Sequence, residues 1–143
     1  MCQGESMLTL KDYLTASGSY PDREKHPEVN KVNAERLITA VNAFLKDIGH
    51  VAPVTVSSGF RPAAVNSGIA NAAKKSLHME CLAIDMLDDK NQTLAKLCAS
   101  KPEVMRKYGL FLEDPASTIG KSQNWTHLDL GTRADRPSRV FKP

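Results

Sequence analysis

The sequence predicts a single α+β domain in which a small mixed or antiparallel sheet is backed by helices. Helix-type patterns come first in the chain, and short apolar runs typical of strands are scattered after them with short links. The chain has 143 residues, 41% of them hydrophobic, which is enough for one domain with its own core. We expect residues 1–143 to form this domain, with an N-terminal helix and loop over 1–26 and a basic tail over 131–143.

The helices are predicted from the spacing of apolar residues and from residues that favour helix ends. They are one short helix within 1–26, a long helix that begins after Pro27, and a pair over 88–100 and 102–108. The long helix carries one continuous apolar face from Ala34 to Ile48, so it should support the core rather than carry chemistry. Gly49 and Gly109 suit the left-handed position just past a helix end.

The strands are predicted from short runs of β-branched and apolar residues that end at turn-forming residues. They are expected at 54–56, 82–87, 110–112 and 125–130. The segment between the first two, 62–76, consists of small and polar residues and is expected to be a loop.

Composition and charge exclude several classes of function. The net charge is +3, and this excess lies in the last 13 residues, where Arg133, Arg136, Arg139 and Lys142 outnumber Asp135. This is too sparse for a nucleic-acid interface, although the tail is a candidate anchor for an anionic cell wall or simply a solvated terminus. No run approaches the ~18 apolar residues of a membrane span. We therefore expect no nucleic-acid partner, no membrane partner and a monomer.

Acidic residues and histidines within apolar strands are the candidates for chemistry. Asp85 lies in an apolar strand, where a carboxylate is costly unless it is paired or bound to a metal. His127 and Asp129 are two residues apart, so on a strand they point to the same face. His78 can join Asp85 only if a turn lies between them, because their separation of seven is odd. Taken singly, His78 or His127 would be interpreted as a structural histidine.

A histidine from a loop, an aspartate from a strand and a histidine from a strand form a three-ligand set of nitrogen and oxygen donors. Such a set leaves zinc a fourth position for water, which is the arrangement of catalytic rather than structural zinc sites. Spacing alone does not decide between this interpretation and three unrelated polar residues.

Three ordered segments are similar to one family. Residues 76–85 (SLHMECLAID) resemble the S-x-H-x-x-G-x-A-x-D motif of the zinc D-alanyl-D-alanine carboxypeptidase family of peptidoglycan peptidases. Residues 58–62 (SGFRP), together with Asn66, resemble its S-G-[FY]-R element, and residues 125–129 (WTHLD) resemble its closing W-x-H segment. The three segments occur in the family's order within 57–130, which makes the resemblance specific.

The resemblance implies one zinc ion held by His78, Asp85 and His127. It also implies that Arg61 holds a substrate carboxylate or a polarised carbonyl, and that Ser76 orders the site by hydrogen bonding. The planar guanidinium of an arginine suits a carboxylate, and peptidoglycan stem peptides carry free carboxylates. Without the motif, Arg61 would be interpreted as a surface cation after a turn.

The chain departs from the family pattern in two respects. Cys81 stands where the family usually has glycine, so the backbone there must tolerate a side chain; we expect a small core residue, neither nucleophile nor ligand. The second departure concerns the general base. Some relatives have a carboxylate three residues before the last histidine, where this chain has Asn124, and others have a histidine two residues before it, where this chain has Trp125.

Three carboxylates remain as candidates for the general base. They are Asp129, on the predicted strand face of His127, and Glu113 and Asp114, at the end of the 110–112 strand. Asp129 is alternatively an acceptor that orients His127, as carboxylates often do at zinc sites. We favour Glu113 as the base and Asp129 as the orienting residue.

The expected function is hydrolysis of peptidoglycan stem or cross-link peptides by a zinc-activated water. The enzyme would be of D,D-carboxypeptidase or endopeptidase type, and its substrate partner a peptidoglycan peptide. No signal-peptide pattern is present at the start of the sequence, which favours a phage-lysin-like enzyme, made in the cytoplasm or carried on a virion, that acts on the wall after release. Two alternatives are a metal-containing wall-binding or virion module without catalysis, and an assembly protein without metal.

Overall fold

The structure is a computed structural model, and it describes residues 8–15, 28–50, 54–58, 81–131 and 139–141. The helices of this part of the chain are α1 (Leu10–Thr15), α2 (Glu28–Asp47), α3 (Thr93–Ala99) and α4 (Pro102–Tyr108). The strands are β1 (Val56–Ser58), β2 (Ala83–Asp88), β3 (Phe111–Glu113), β4 (Asn124–Asp129) and β5 (Val140–Phe141), and a 3₁₀ turn spans Pro115–Ser117.

The described strands form one mixed sheet in the order β1-β2-β4-β3-β5. The first four pair antiparallel with their neighbours, whereas β5 pairs parallel with β3. This is the α+β domain that the order of helices and strands predicts. The two central strands, β2 and β4, pair along six positions each.

Alternation along the strands gives the sheet an apolar face and a polar face. Ile84 and Met86 of β2, Leu112 of β3 and Leu128 of β4 are fully buried on the first face. They join one core cluster with the apolar face of α2, which runs from Ala34 to Leu45 as its spacing predicts. The residues between them therefore project from the opposite face, where Asp85, His127 and Glu113 are found.

Helix α3 begins later than the sequence predicts. The expected helix over 88–100 begins only at Thr93, because Asp88 is the last residue of β2. The Asp88 carboxylate accepts hydrogen bonds from the backbone N–H groups of Leu94 (3.0 Å) and Ala95 (2.9 Å) and from the Thr126 hydroxyl (2.9 Å). One buried carboxylate thus caps α3 and ties it to β2 and β4.

Strand β1 also differs from its prediction. It begins at Val56, where the predicted 54–56 strand ends, although Thr55 already accepts a hydrogen bond from the backbone N–H of Leu87 at 2.9 Å. The other strands lie within one residue of their predicted bounds. Val140 and Phe141, within the segment assigned to the basic tail, form β5.

The N-terminal helix is attached to the core and to the start of β2. The side chain of Asn42 on α2 makes hydrogen bonds with both the backbone N–H and the carbonyl of Leu8, at 2.8 and 2.9 Å. The buried Tyr13 hydroxyl donates to the Ala83 carbonyl at 2.7 Å, on the edge of β2 that faces away from β4. Among the described residues, no helix is long and apolar enough to cross a membrane.

Candidate active site

A row of four side chains crosses the polar face of the sheet. Asp85 of β2 is the register partner of His127 of β4, and Glu113 of β3 is the register partner of Phe141 of β5. Leu112 pairs with Leu128, so the next position in that antiparallel ladder brings Glu113 level with His127. Two acids, a histidine and an aromatic ring thus become neighbours from segments far apart in the sequence.

Asp85 and His127 form a non-hydrogen-bonded pair in the β2–β4 ladder. The backbone N–H of Leu87 points to Thr55 in β1, whereas the Leu82 carbonyl accepts from the Leu130 N–H on the β4 side at 2.9 Å. Odd-numbered residues of β2 therefore direct their backbone groups away from β4. Side chains approach most closely at such positions, and Asp85 Oδ1 lies 2.8 Å from His127 Nδ1.

The second nitrogen of His127 is held by Asp129. Asp129 Oδ2 lies 2.7 Å from Nε2, and Asp129 Oδ1 accepts the backbone N–H of Gly131 at 2.9 Å. The Asp129 side chain is fully buried. The prediction that His127 and Asp129 share a strand face is confirmed, and the contact fixes the orientation of the imidazole ring.

The two carboxylates control the protonation of His127. Burial alone lowers the pKa of His127, but hydrogen bonds and charges from Asp129 and Asp85 outweigh it and raise the pKa to about 10. Without a metal, the ring is therefore an imidazolium that donates to both acids. A metal ion held by His127 would take the place of one of these protons, and Asp129 would still accept the other.

Glu113 lies on the same edge of the imidazole as Asp85. Its Oε1 is 3.9 Å from His127 Nδ1, and its side chain is only 17% exposed. Asp114, by contrast, caps the following 3₁₀ turn by accepting the Ala116 N–H at 3.0 Å. Of the three candidate bases, Glu113 faces Nδ1 and Asp129 faces Nε2, while the Asp114 carboxylate is engaged in a turn.

The strand geometry explains why Asn124 does not stand in for a base. Three residues before His127 on a regular strand, Asn124 points to the opposite face of the sheet. Its amide donates to the Asp89 carbonyl at 3.2 Å and accepts from the Gly120 N–H at 3.3 Å. Asn124 therefore fastens a loop, a role that the sequence comparison alone did not suggest.

An apolar surface continues the site along the strands. Trp125 lies on the face of His127 and is the register partner of Leu87, whose side chain is 39% exposed. The backbone N–H of Trp125 donates to the Thr118 carbonyl at 3.1 Å, which ties the strand to the preceding loop. Leu87 and Trp125 thus form an apolar surface beside Asp85 and His127 on the same face of the sheet.

Cys81 adopts a left-handed backbone conformation, with φ of 58°. Glycine adopts such a φ without steric cost, which accounts for glycine at this place in the family motif. The Cys81 side chain is fully buried, and this burial raises the pKa of its thiol to about 12, against the opposing effect of a hydrogen bond with Tyr13. The thiol is therefore protonated and inert, as the sequence analysis expects.

Three residues of the predicted site lie outside the described residues: Arg61, Ser76 and His78. Within the part of the chain that the structure describes, no group of three or more His, Cys, Asp or Glu side chains is arranged to hold a metal. Asp85 and His127 nevertheless fit a zinc ion chemically, since they offer one oxygen and one nitrogen from a rigid strand pair.

The sequence analysis missed one residue of the site. The Phe141 ring meets the His127 ring edge to face, with the centroids 5.9 Å apart and the planes at 78°. Several charged residues precede Phe141 in the sequence, and no motif or periodicity in 131–143 predicts a strand there. Only the pairing of β5 with β3 brings this ring to the polar face.

Comparison with known proteins assigns the family. The crystal structure of Serratia marcescens L-Ala D-Glu endopeptidase ChiX is similar with a TM-score of 0.47 and 18% identity, over 79% of this chain and 96% of that chain. No curated protein matches the chain in sequence. A family model described as peptidase M15 matches residues 20–129, which is more than half of the chain. The chain therefore belongs to the peptidase M15 family.

Proposed function

We propose that this peptidase is zinc-dependent and hydrolyses peptidoglycan stem or cross-link peptides, as a D,D-carboxypeptidase or an endopeptidase. The observation that carries the proposal is His127, held between Asp85 and Asp129 with Glu113 beside its Nδ1 edge. This ring has a carboxylate at each of its nitrogens and a third carboxylate nearby. The choice of peptidoglycan as the proposed substrate rests on the sequence motifs that resemble those of the family.

His78, Asp85 and His127 would hold the zinc ion. When bound, zinc supplies an activated water, with its pKa lowered toward ~7, and polarises the scissile carbonyl. Asp129 would accept the Nε2 proton of His127, so that Nδ1, which faces Asp85, would be the nitrogen available to the zinc ion. Each contact orients a donor atom before substrate arrives.

Glu113 is the proposed general base. Its carboxylate lies on the Nδ1 edge of His127 without being hydrogen-bonded to it, at 3.9 Å. From this position Glu113 would take a proton from the attacking water and pass it to the leaving amine. Asp129 cannot do both tasks, because it is fully buried and engaged with Nε2 and the Gly131 N–H.

The substrate would extend along the polar face of the sheet. Arg61 would bind a carboxylate of the peptide, and Ser76 would order the site by hydrogen bonding. On the described part of the face, Leu87 and Trp125 offer an apolar surface beside Asp85 and His127, suited to the methyl group of an alanine residue. As a phage-lysin-like enzyme, the protein would act on the wall after release or from a virion.

Cleavage of purified muropeptides, followed by mass spectrometry of the products, tests the proposal and identifies the bond. We expect cleavage to stop with a chelator and to return with zinc. Glu113→Gln should reduce kcat by about 10²–10⁴-fold, the usual contribution of a general base. Asp114→Asn is the matched control, because its carboxylate caps a turn, and it should retain activity.

Cleavage that persists in the chelator would contradict the zinc mechanism. One zinc per chain without cleavage of any wall fragment would instead favour the alternative, a wall-binding or virion module that has kept the metal and lost catalysis.

A further inference from the structure

We infer that Phe141, on the C-terminal strand β5, is a positioning residue of the zinc site: its ring holds the His127 imidazole and keeps Glu113 apart from it. The inference rests on the proposed function. Phe141 lies beyond residues 20–129, the range matched by the family model, and outside the three motifs of the sequence. It would make the C-terminal segment part of the site.

The position of the Phe141 ring shows what it covers. Strand β3 lies between β4 and β5, and neighbouring strands are about 4.8 Å apart, so His127 and Phe141 are separated by about 9.6 Å at the backbone. Their ring centroids are only 5.9 Å apart. The two rings therefore lean toward each other across β3, at the position of Glu113.

Strand β5 is held firmly enough to position a side chain. The backbone N–H groups of Leu112 and Asp114 donate to the carbonyls of Arg139 and Phe141, both at 2.7 Å. The Arg139 guanidinium donates to the Leu110 carbonyl at 3.2 Å and lies 4.2 Å from the centre of the Phe111 ring. The position of Phe141 is thus fixed by the backbone hydrogen bonds between β5 and β3 and by the contacts of the Arg139 side chain.

The consequence for the site concerns the spacing of Glu113 and His127. Glu113 Oε1 lies 3.9 Å from His127 Nδ1, which is too long for a hydrogen bond although the two side chains are largely buried beside each other. A ring edge beside the imidazole limits its tilt toward Glu113. Without that ring, the imidazole can tilt until the Glu113 carboxylate occupies the space in front of Nδ1 that the zinc ion would need.

The test compares Phe141→Ala and Phe141→Leu with Val140→Ala. Val140 lies on the same strand but pairs with the core residue Leu112, so it controls for general weakening of β5. Zinc affinity is measured by competition with a chromogenic chelator. The values of kcat and KM are measured on muropeptides, and stability is measured by thermal unfolding. We expect Phe141→Ala to lower zinc affinity and kcat about tenfold each, with KM changed less than twofold.

Phe141→Leu should recover most of both losses, because it restores an apolar side chain beside Glu113. Val140→Ala should lower the unfolding temperature while zinc affinity stays unchanged. Wild-type zinc affinity in Phe141→Ala, or an equal loss in Val140→Ala, would overturn the inference. If the wild type binds zinc but cleaves no muropeptide, the proposed function fails and the zinc measurements still decide the role of Phe141; a wild type that binds no zinc overturns both.

Discussion

Asp85 and His127 face each other across the two central strands, with Oδ1 of the acid 2.8 Å from Nδ1 of the ring. Their place in a non-hydrogen-bonded pair brings the side chains together without any distortion of the sheet. The rest of the site is arranged around this pair, with Asp129 on the far nitrogen and Glu113 beside the near one. The pair therefore sets where a metal ion and an attacking water would meet.

Asp129→Asn should weaken zinc binding about 10–100-fold, the usual cost of losing an outer partner of a metal ligand. The Nε2–H of His127 and the Gly131 N–H bond to different oxygens of Asp129, and an asparagine replaces one of these oxygens with an NH2 group that cannot accept, so one of the two donors loses its partner. Chelator competition measures the affinity. Unchanged affinity would show that the orientation of His127 is fixed by other contacts.

The stability of the metal-free protein should depend on alkaline pH through His127. A pKa raised from 6.5 to about 10 contributes stability that is fully present below about 6.5 and is lost as the pH rises through 10. The unfolding temperature of the metal-free protein should therefore fall across this range. A zinc ion bound by His127 would take the place of a ring proton, so the protein with added zinc is the control and should lack this fall.

Titration of the His127 imidazole by NMR in the metal-free protein provides the direct check. A midpoint near 6.5 would contradict the strong coupling of the ring to Asp85 and Asp129.

Cys81→Gly should be more stable than Cys81→Ala by about 1 kcal/mol. Both substitutions remove the same buried sulfur, but alanine keeps the steric cost of the left-handed φ of 58°, and glycine does not. Denaturant unfolding of the two variants measures the difference. Equal stability, or a more stable alanine variant, would show that the backbone at Cys81 relaxes out of the left-handed region.

Leu87→Asn should raise KM for muropeptides about fivefold with little change in kcat. Partial covering of a leucine by substrate contributes about 1 kcal/mol, and Leu87 is exposed beside Asp85 on the site face. Val32→Asn on α2 is the control, because Val32 is comparably exposed at 50% but lies on a different element. An unchanged KM in Leu87→Asn would place the substrate elsewhere on the sheet.

The sequence predicts the fold class and much of the site because both depend on local patterns. The alternation in β4 places His127 and Asp129 on one face, and the interruption of an apolar run marks Asp85. The cap on α3 was not predictable. The sequence alone places Asp88 at the start of the helix, and only the hydrogen bond from Thr126 shows that Asp88 ends β2 instead. The contribution of Phe141 was not predictable for a similar reason, because a two-residue strand can be recognised only from its pairing with β3.

Equilibrium dialysis against zinc, with metal analysis of the retained protein, tests the central claim most directly. We predict one zinc per chain for the wild type and a large loss of affinity for Asp85→Asn and His127→Gln, each checked for folding by circular dichroism. Asp47→Asn, at an exposed ion pair with Lys107, should bind zinc as the wild type does. A wild type that retains no zinc, or folded Asp85→Asn and His127→Gln variants that retain it undiminished, would contradict the account.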